Sequence, residues 1–185
     1  MALIPSYLEF EGSISIPNVL PTKASGEALA TLMSYEVPKM LTDVLGYELY
    51  TLLEANKAQG SGIYHNIING VEFTDSLDRL NKWVGFVRGS NPIANYIYFK
   101  WMAQTASTST GVGEKVPNAE NMVSGDGAIK ANRAWNQMVD WLTVLHDYLT
   151  INKADYPSYL GLDYSPYTKG NPNYKYFQKV PIVVL

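Results

Sequence analysis

The stretch IKANRAWNQMVDWLTVLHDYL, residues 129–149, decides how the chain is read. Trp135, Met138, Leu142, Leu145 and Leu149 recur at spacings of 3, 4, 3 and 4, which places them in one stripe along an α-helix. Ala134, Trp141 and Tyr148 widen the stripe on one flank. Asn136, Gln137, Asp140, Thr143 and Asp147 fill the opposite side, where water suits them. Two tryptophans on one helix require a matching surface, since burying a large aromatic stabilises by about 2–3 kcal/mol. The plain reading is a core helix of a helical domain.

Outward from that helix, size and composition set limits. A length of 185 residues suits one domain with additional arms. No run of about 18 apolar residues is present, so no membrane span and no membrane partner are expected. The start, MALIPSYLEFEGS, lacks a basic segment leading into an apolar run, so no secretion signal is expected. The absence of cysteine excludes disulfides and thiolate metal sites. A net charge of −3 argues against a general nucleic-acid binder. The fourteen tyrosines are unusual, many lying near the C-terminus. Tyrosine offers large contact area, few torsions and a polar tip, which favours it at interfaces.

The predicted architecture is mainly α: a bundle of about four to five helices with a projecting β-hairpin and extended terminal arms. Residues 1–24 form the first arm, because Pro5, Pro17 and Pro21 forbid a helix and Ile14 and Ile16 alternate with serines. Residues 25–152 form the helical domain. A helix from Ser25 is expected to break near Val37, ahead of Pro38. A second runs from about Lys39 to Ala58 with Gly46 inside it, at a close approach or a bend. NIINGVEF predicts a hairpin over about 63–74, turning at Asn69-Gly70. Leu77 to Val87 is expected as a short helix carrying Leu80, Trp83, Val84 and Val87. Asn91-Pro92 supplies an N-cap and a first helical residue for the next helix, which is apolar on both sides. A polar loop of about 15 residues, TASTSTGVGEKVPNAEN, then leads to the long helix. Trp83, Trp101, Trp135 and Trp141 are assigned to the core. Residues 153–185 form the second arm: four prolines forbid a long helix, yet six tyrosines between Tyr156 and Tyr176 are too many for a disordered segment. An extended aromatic tail ending in PIVVL suits docking on a surface or adding a strand to one.

Chemistry-bearing patterns do not converge. His65 has no acidic or thiol partner nearby in sequence, His146 lies beside Leu145 on the long helix, and both read as surface or packing residues. No HExxH or zinc spacing occurs, so no metal and no cofactor are expected. GVGEKV lacks the spacing and the Ser/Thr of a phosphate loop, and Ser107 and Ser109 have no nearby base. Asp75 with Asp78, and Asp140 with Asp147, read as solvated surface acids. Lys169, Lys175 and Lys179 among tyrosines are too few to prefer nucleic acid over a protein contact. No catalytic residue is assigned.

VPKMLTDVLGYELYTLLEAN, NPIANYIYFKWMAQTASTSTGVGE and ENMVSGDGAIKANRAWNQMVDWL resemble small helical proteins of Bacteroides phages and prophages, over roughly residues 25–150. Those in turn are similar to head–tail connector, or neck adaptor, proteins. The resemblance implies a non-enzymatic virion protein, assembled in the host cytoplasm into the particle neck. It would form a homo-oligomeric, twelve-fold ring between portal and tail through which DNA passes as cargo. The implied partners are copies of itself, the portal protein and other neck or tail rings. Tyr156, Tyr159, Tyr164, Tyr167, Tyr174, Tyr176 and Phe177 would latch the tail onto a neighbour. The alternatives are another neck or tail-completion ring or, in a different class, a small helical enzyme or a nucleic-acid-binding module.

Overall fold

The computed structural model describes residues 3, 5, 9–16, 24–87, 89, 91–105, 108–110, 113–115, 126–159 and 177–181. The fold is mainly helical: α1 (Ala24–Leu45), α2 (Tyr47–Asn56), α3 (Ile63–Asn69), α4 (Pro92–Thr105) and α5 (Asp126–Ile151). Two antiparallel strand pairs accompany the helices. Strand β1 (Val71–Thr74) pairs with β2 (Leu80–Trp83), and β3 (Thr108–Thr110) with β4 (Gly113–Lys115). The second pair lies within the stretch expected as an irregular polar loop.

Helices α4 and α5 form the most extensive pair, with α1 packed on α4 and α2 on α1. The stripe on α5 enters the core as its spacing requires: Met138, Leu142, Leu145 and Leu149 are buried, with Ala134 and Tyr148 on the flank. Every residue of α4 from Pro92 to Tyr98 is buried, because α1 and α5 cover it on two sides. Its start is capped as expected, with the amide of Ala94 donating to Asn91 Oδ1 at 2.9 Å. Of the four tryptophans, Trp83 is fully buried. Trp101, Trp135 and Trp141 are half-buried against the core's edge.

Three expected boundaries are corrected. Helix α1 continues through Pro38. A proline there removes one helical hydrogen bond and costs about 3 kcal/mol. Burial of Val37, Met40 and Leu41 on either side of it offsets that cost. The division between the first two helices falls instead at Gly46, whose φ of 79° suits glycine and which flanks α2. Residues 63–69 are helical, and Asn69-Gly70 closes that helix: the amide of Gly70 donates to Asn66 O, and φ is 91°. The hairpin therefore lies at 71–83 rather than 63–74, and part of the expected helix at 77–87 is its second strand.

The described parts of both termini rest on the helical body. Leu3, Pro5, Phe10 and Ile14 are buried, and a 3-10 turn at Gly12–Ile14 meets α4 and α5. Asn91 Nδ2 donates to Glu9 Oε2 at 2.6 Å.

Candidate functional site

The β1–β2 hairpin is held firmly at its base. Trp83 Nε1 donates to Ile67 O, and the amide of Phe86 donates to Ile68 O, both at 2.8 Å. Gly70 and Gly85 bring two backbones together. A Cβ on Gly70 would stand 2.6 Å from Trp83 O, and one on Gly85 would stand 2.6 Å from Gly70 N. Phe73 adds an edge-on contact to Tyr148 of α5, with centroids 5.3 Å apart.

The far end of the hairpin is shaped by one carboxylate. Asp75 Oδ1 accepts from the amides of Leu77 and Arg79 at 2.9 Å, and Oδ2 from Arg79 Nε at 2.8 Å and Asn81 Nδ2 at 3.0 Å. These donors, led by the Arg79 amide, hold the Asp75 carboxyl down at about 2. Asp78 takes the left-handed φ of 57° that closes the turn. Sequence reasoning placed these two acids on a solvated surface and missed the turn. The available signal was an aspartate followed at close range by a second residue that tolerates positive φ. Leu77 and Leu80 stand on this end, 67% and 74% exposed. Leu80 lies opposite Thr74 on the solvent face, beside the Glu72–Lys82 pair.

The expected latch residues divide into three groups. Tyr156 and Tyr159 are buried in the chain's own core. A relay of donors runs from Asn66 Nδ2 to the Tyr148 hydroxyl, then to Tyr156, then to Ile63 O. The Tyr159 hydroxyl meets His146 Nδ1 at 2.8 Å. Burial pushes both phenols above their ordinary pKa. Neither ring is free to reach a neighbour, so the helical body extends to Tyr159 rather than ending at residue 152. Phe177 is half-buried against Trp135 and Tyr96. Tyr164, Tyr167, Tyr174 and Tyr176 lie outside the described residues.

A further polar cluster joins α1 to α4. The Tyr96 hydroxyl donates to Glu36 Oε2 at 2.6 Å, and Lys100 Nζ lies 3.4 Å from the same oxygen. Burial alone would raise the Glu36 pKa, but the Tyr96 bond and the Lys100 charge outweigh it and hold the carboxyl below its ordinary value. Burial and the carboxylate push Tyr96 up. Near neutrality Glu36 therefore stays charged and Tyr96 neutral, which suits a tie between helices better than proton exchange. His65 lies in α3, where Asn69 Nδ2 approaches its Nδ1 at 3.1 Å. The two histidines thus sit on separate elements, each beside an uncharged partner.

Among the described residues, no three His, Asp or Glu side chains gather as metal ligands. No described helix is long and apolar enough to cross a membrane. Compared with models of protein families, with curated proteins and with solved structures, the chain matches none.

Proposed function

We propose that this chain is a virion structural protein, a head–tail connector or adaptor that forms a homo-oligomeric ring between portal and tail and lets DNA pass. Its work is binding, not catalysis. The observation that carries this reading is the hairpin: an element fixed at its base whose end exposes Leu77 and Leu80 with nothing of the described chain covering them. A single exposed leucine is ordinary. Two on a carboxylate-braced turn, at the end of a two-stranded element that is marginal by itself, suit insertion into a neighbouring subunit. A fixed core with projecting elements is what a heterologous ring contact requires. The acidic net charge suits a DNA conduit, because a basic lumen would retard the cargo.

The test is assembly on a portal ring from the same particle, followed by sedimentation and electron microscopy. The expected result is a collar of this chain on the portal, with the chain alone monomeric. Failure to associate, together with a steeply salt-dependent affinity for DNA or a measurable turnover, would replace this reading with the nucleic-acid or enzyme alternative.

A further inference from the structure

Residues 177–181, Phe-Gln-Lys-Val-Pro, lie along α5 in an unusual way for a chain end: they are held mainly by their backbone. Asn136 Nδ2 donates to Val180 O at 2.9 Å, and the Val180 amide donates back to Asn136 Oδ1 at 2.8 Å. The Asn136 carboxamide thus engages both polar groups of one residue, as an opposing strand residue would. Trp135 Nε1 donates to Gln178 O at 2.7 Å. Lys179 Nζ meets Asp140 Oδ1 at 2.6 Å. The Phe177 ring stacks on Trp135 with centroids 5.9 Å apart and turns its edge to Tyr96 at 6.5 Å. Phe99 also packs on Trp135, with centroids 4.6 Å apart. Gln178, Lys179 and Pro181 themselves remain exposed.

We infer that Tyr96, Trp135, Asn136 and Asp140 form a recognition site for an extended peptide of the form aromatic–x–Lys–Val, and that the site accepts residues 177–181 from a second copy of this chain. The site reads main chain at 178 and 180, an aromatic at 177 and a cation at 179. That is a complete peptide-binding pattern on one helix and its neighbour. No part of it depends on which copy supplies the segment. Tyr159, the last described residue before it, is separated from Phe177 by the seventeen residues 160–176. That length spans at most about 60 Å when extended, enough to reach an adjacent subunit. In a dilute chain the tethered segment has an effective concentration on the order of millimolar and occupies its own site. Copies held side by side present each site with a neighbour's segment at comparable concentration. The ring reading supplies only that setting; the site can be tested without a portal.

The test mixes two full-length variants. Asn136→Ala removes the clamp and leaves the segment intact. Phe177→Ala with Val180→Pro removes the aromatic and the donated amide and leaves the site intact. Each variant alone should be monomeric by native mass spectrometry. Their equimolar mixture at about 100 μM should give a heterodimer, because one partner's segment meets the other's vacated site without competition. A labelled peptide of residues 175–182 should bind the second variant at least tenfold more tightly than either wild type or the Asn136→Ala chain. A mixture that stays monomeric, or a peptide that binds all three chains equally, overturns the inference. A portal that fails to recruit the chain while the heterodimer forms would sink the neck-ring reading and leave the site standing.

Discussion

The Tyr156 hydroxyl donates to the main-chain oxygen of Ile63 at 2.8 Å, across 93 positions of sequence. It ties the segment after α5 to the first turn of α3, and the same hydroxyl accepts from Tyr148. Tyr156→Phe leaves the ring and removes the relay, so a half-buried carbonyl loses a donor. The expected loss is about 1–3 kcal/mol. Tyr156→Ala also opens a cavity and should lose about 3–5 kcal/mol. Thermal unfolding of both variants checks the order. Truncation sharpens the point: a chain ending at residue 155 should unfold at markedly lower temperature than one ending at 159. Equal melting temperatures would return Tyr156 and Tyr159 to the tail.

Gly85→Ala should be among the most damaging small substitutions in the chain. Its φ is +84°, and the added Cβ would stand 2.6–2.7 Å from backbone atoms of Ile68, Asn69 and Gly70, which cannot give way like a flexible side chain. About 3 kcal/mol or more should be lost. Gly46→Ala is the control. Its φ is +79° but no atom lies within 4 Å of the new Cβ, so only backbone strain of about 1–3 kcal/mol is added. Urea unfolding of the two variants separates close approach from strain. Similar midpoints would mean that the contact between the hairpin base and α3 contributes little.

What was legible in the sequence followed from local chemistry. The stripe on α5 and the Asn91 cap of α4 need only neighbours three or four positions away, and both are present. The errors came where one local signal serves two structures. Asn69-Gly70 suits a hairpin turn and a helix C-terminus equally, because both need positive φ. What selects the helix is Trp83 reaching Ile67 O, sixteen positions on. Pro38 reads as a stop, yet burial of its neighbours in the core carries the helix through. By composition alone the tyrosines after α5 suit a surface contact. Tyr156 and Tyr159 are core because α3 and α5 present polar partners to them, a pairing that no short window of sequence reveals. Leu77 and Leu80 stand out as an exposed pair only with the hairpin placed at 71–83.

Asp75 should show its role in a pH titration. Its folded carboxyl titrates at about 2, below the usual carboxylate range, so its contribution is present above the unfolded value near 4. It is lost as pH falls from about 4 towards 2. Carboxyl chemical shifts, with the amides of Leu77 and Arg79 as reporters, should give a midpoint near 2. Asp75→Asn should disorder the turn at neutral pH while α5 keeps its hydrogen-exchange protection. A midpoint near 4 would show that the carboxylate does not organise the turn.

Glu36 and Asp43 lie on the same helix and should respond with opposite signs. The Glu36 carboxyl is lowered, so its stabilisation is full above the unfolded value and is lost as pH falls through the folded one. Glu36→Gln should therefore lose about 1.5–3 kcal/mol at pH 7, the worth of a hydrogen bond to a charged group. Burial raises Asp43, with Glu36 adding to it against the pull of Lys39. The fold is then penalised as pH rises through the unfolded value towards the raised one. Asp43→Asn should increase the melting temperature at pH 7 and change it little at pH 3. The reverse pattern would mean that Asp43 makes a stabilising ion pair.

Leu77→Ser with Leu80→Ser separates folding from docking. Both side chains are mostly exposed and cover little of the core, so unfolding free energy should change by no more than about 0.5 kcal/mol. If a neighbouring subunit buries both leucines, each contributes about 1.5–3 kcal/mol to that contact. Losing the pair should weaken association on the portal ring at least a hundredfold. Sedimentation with the portal and thermal unfolding of the same preparation give both readings. A variant that melts normally and still assembles would remove the hairpin from the interface, and with it the observation on which the connector reading rests.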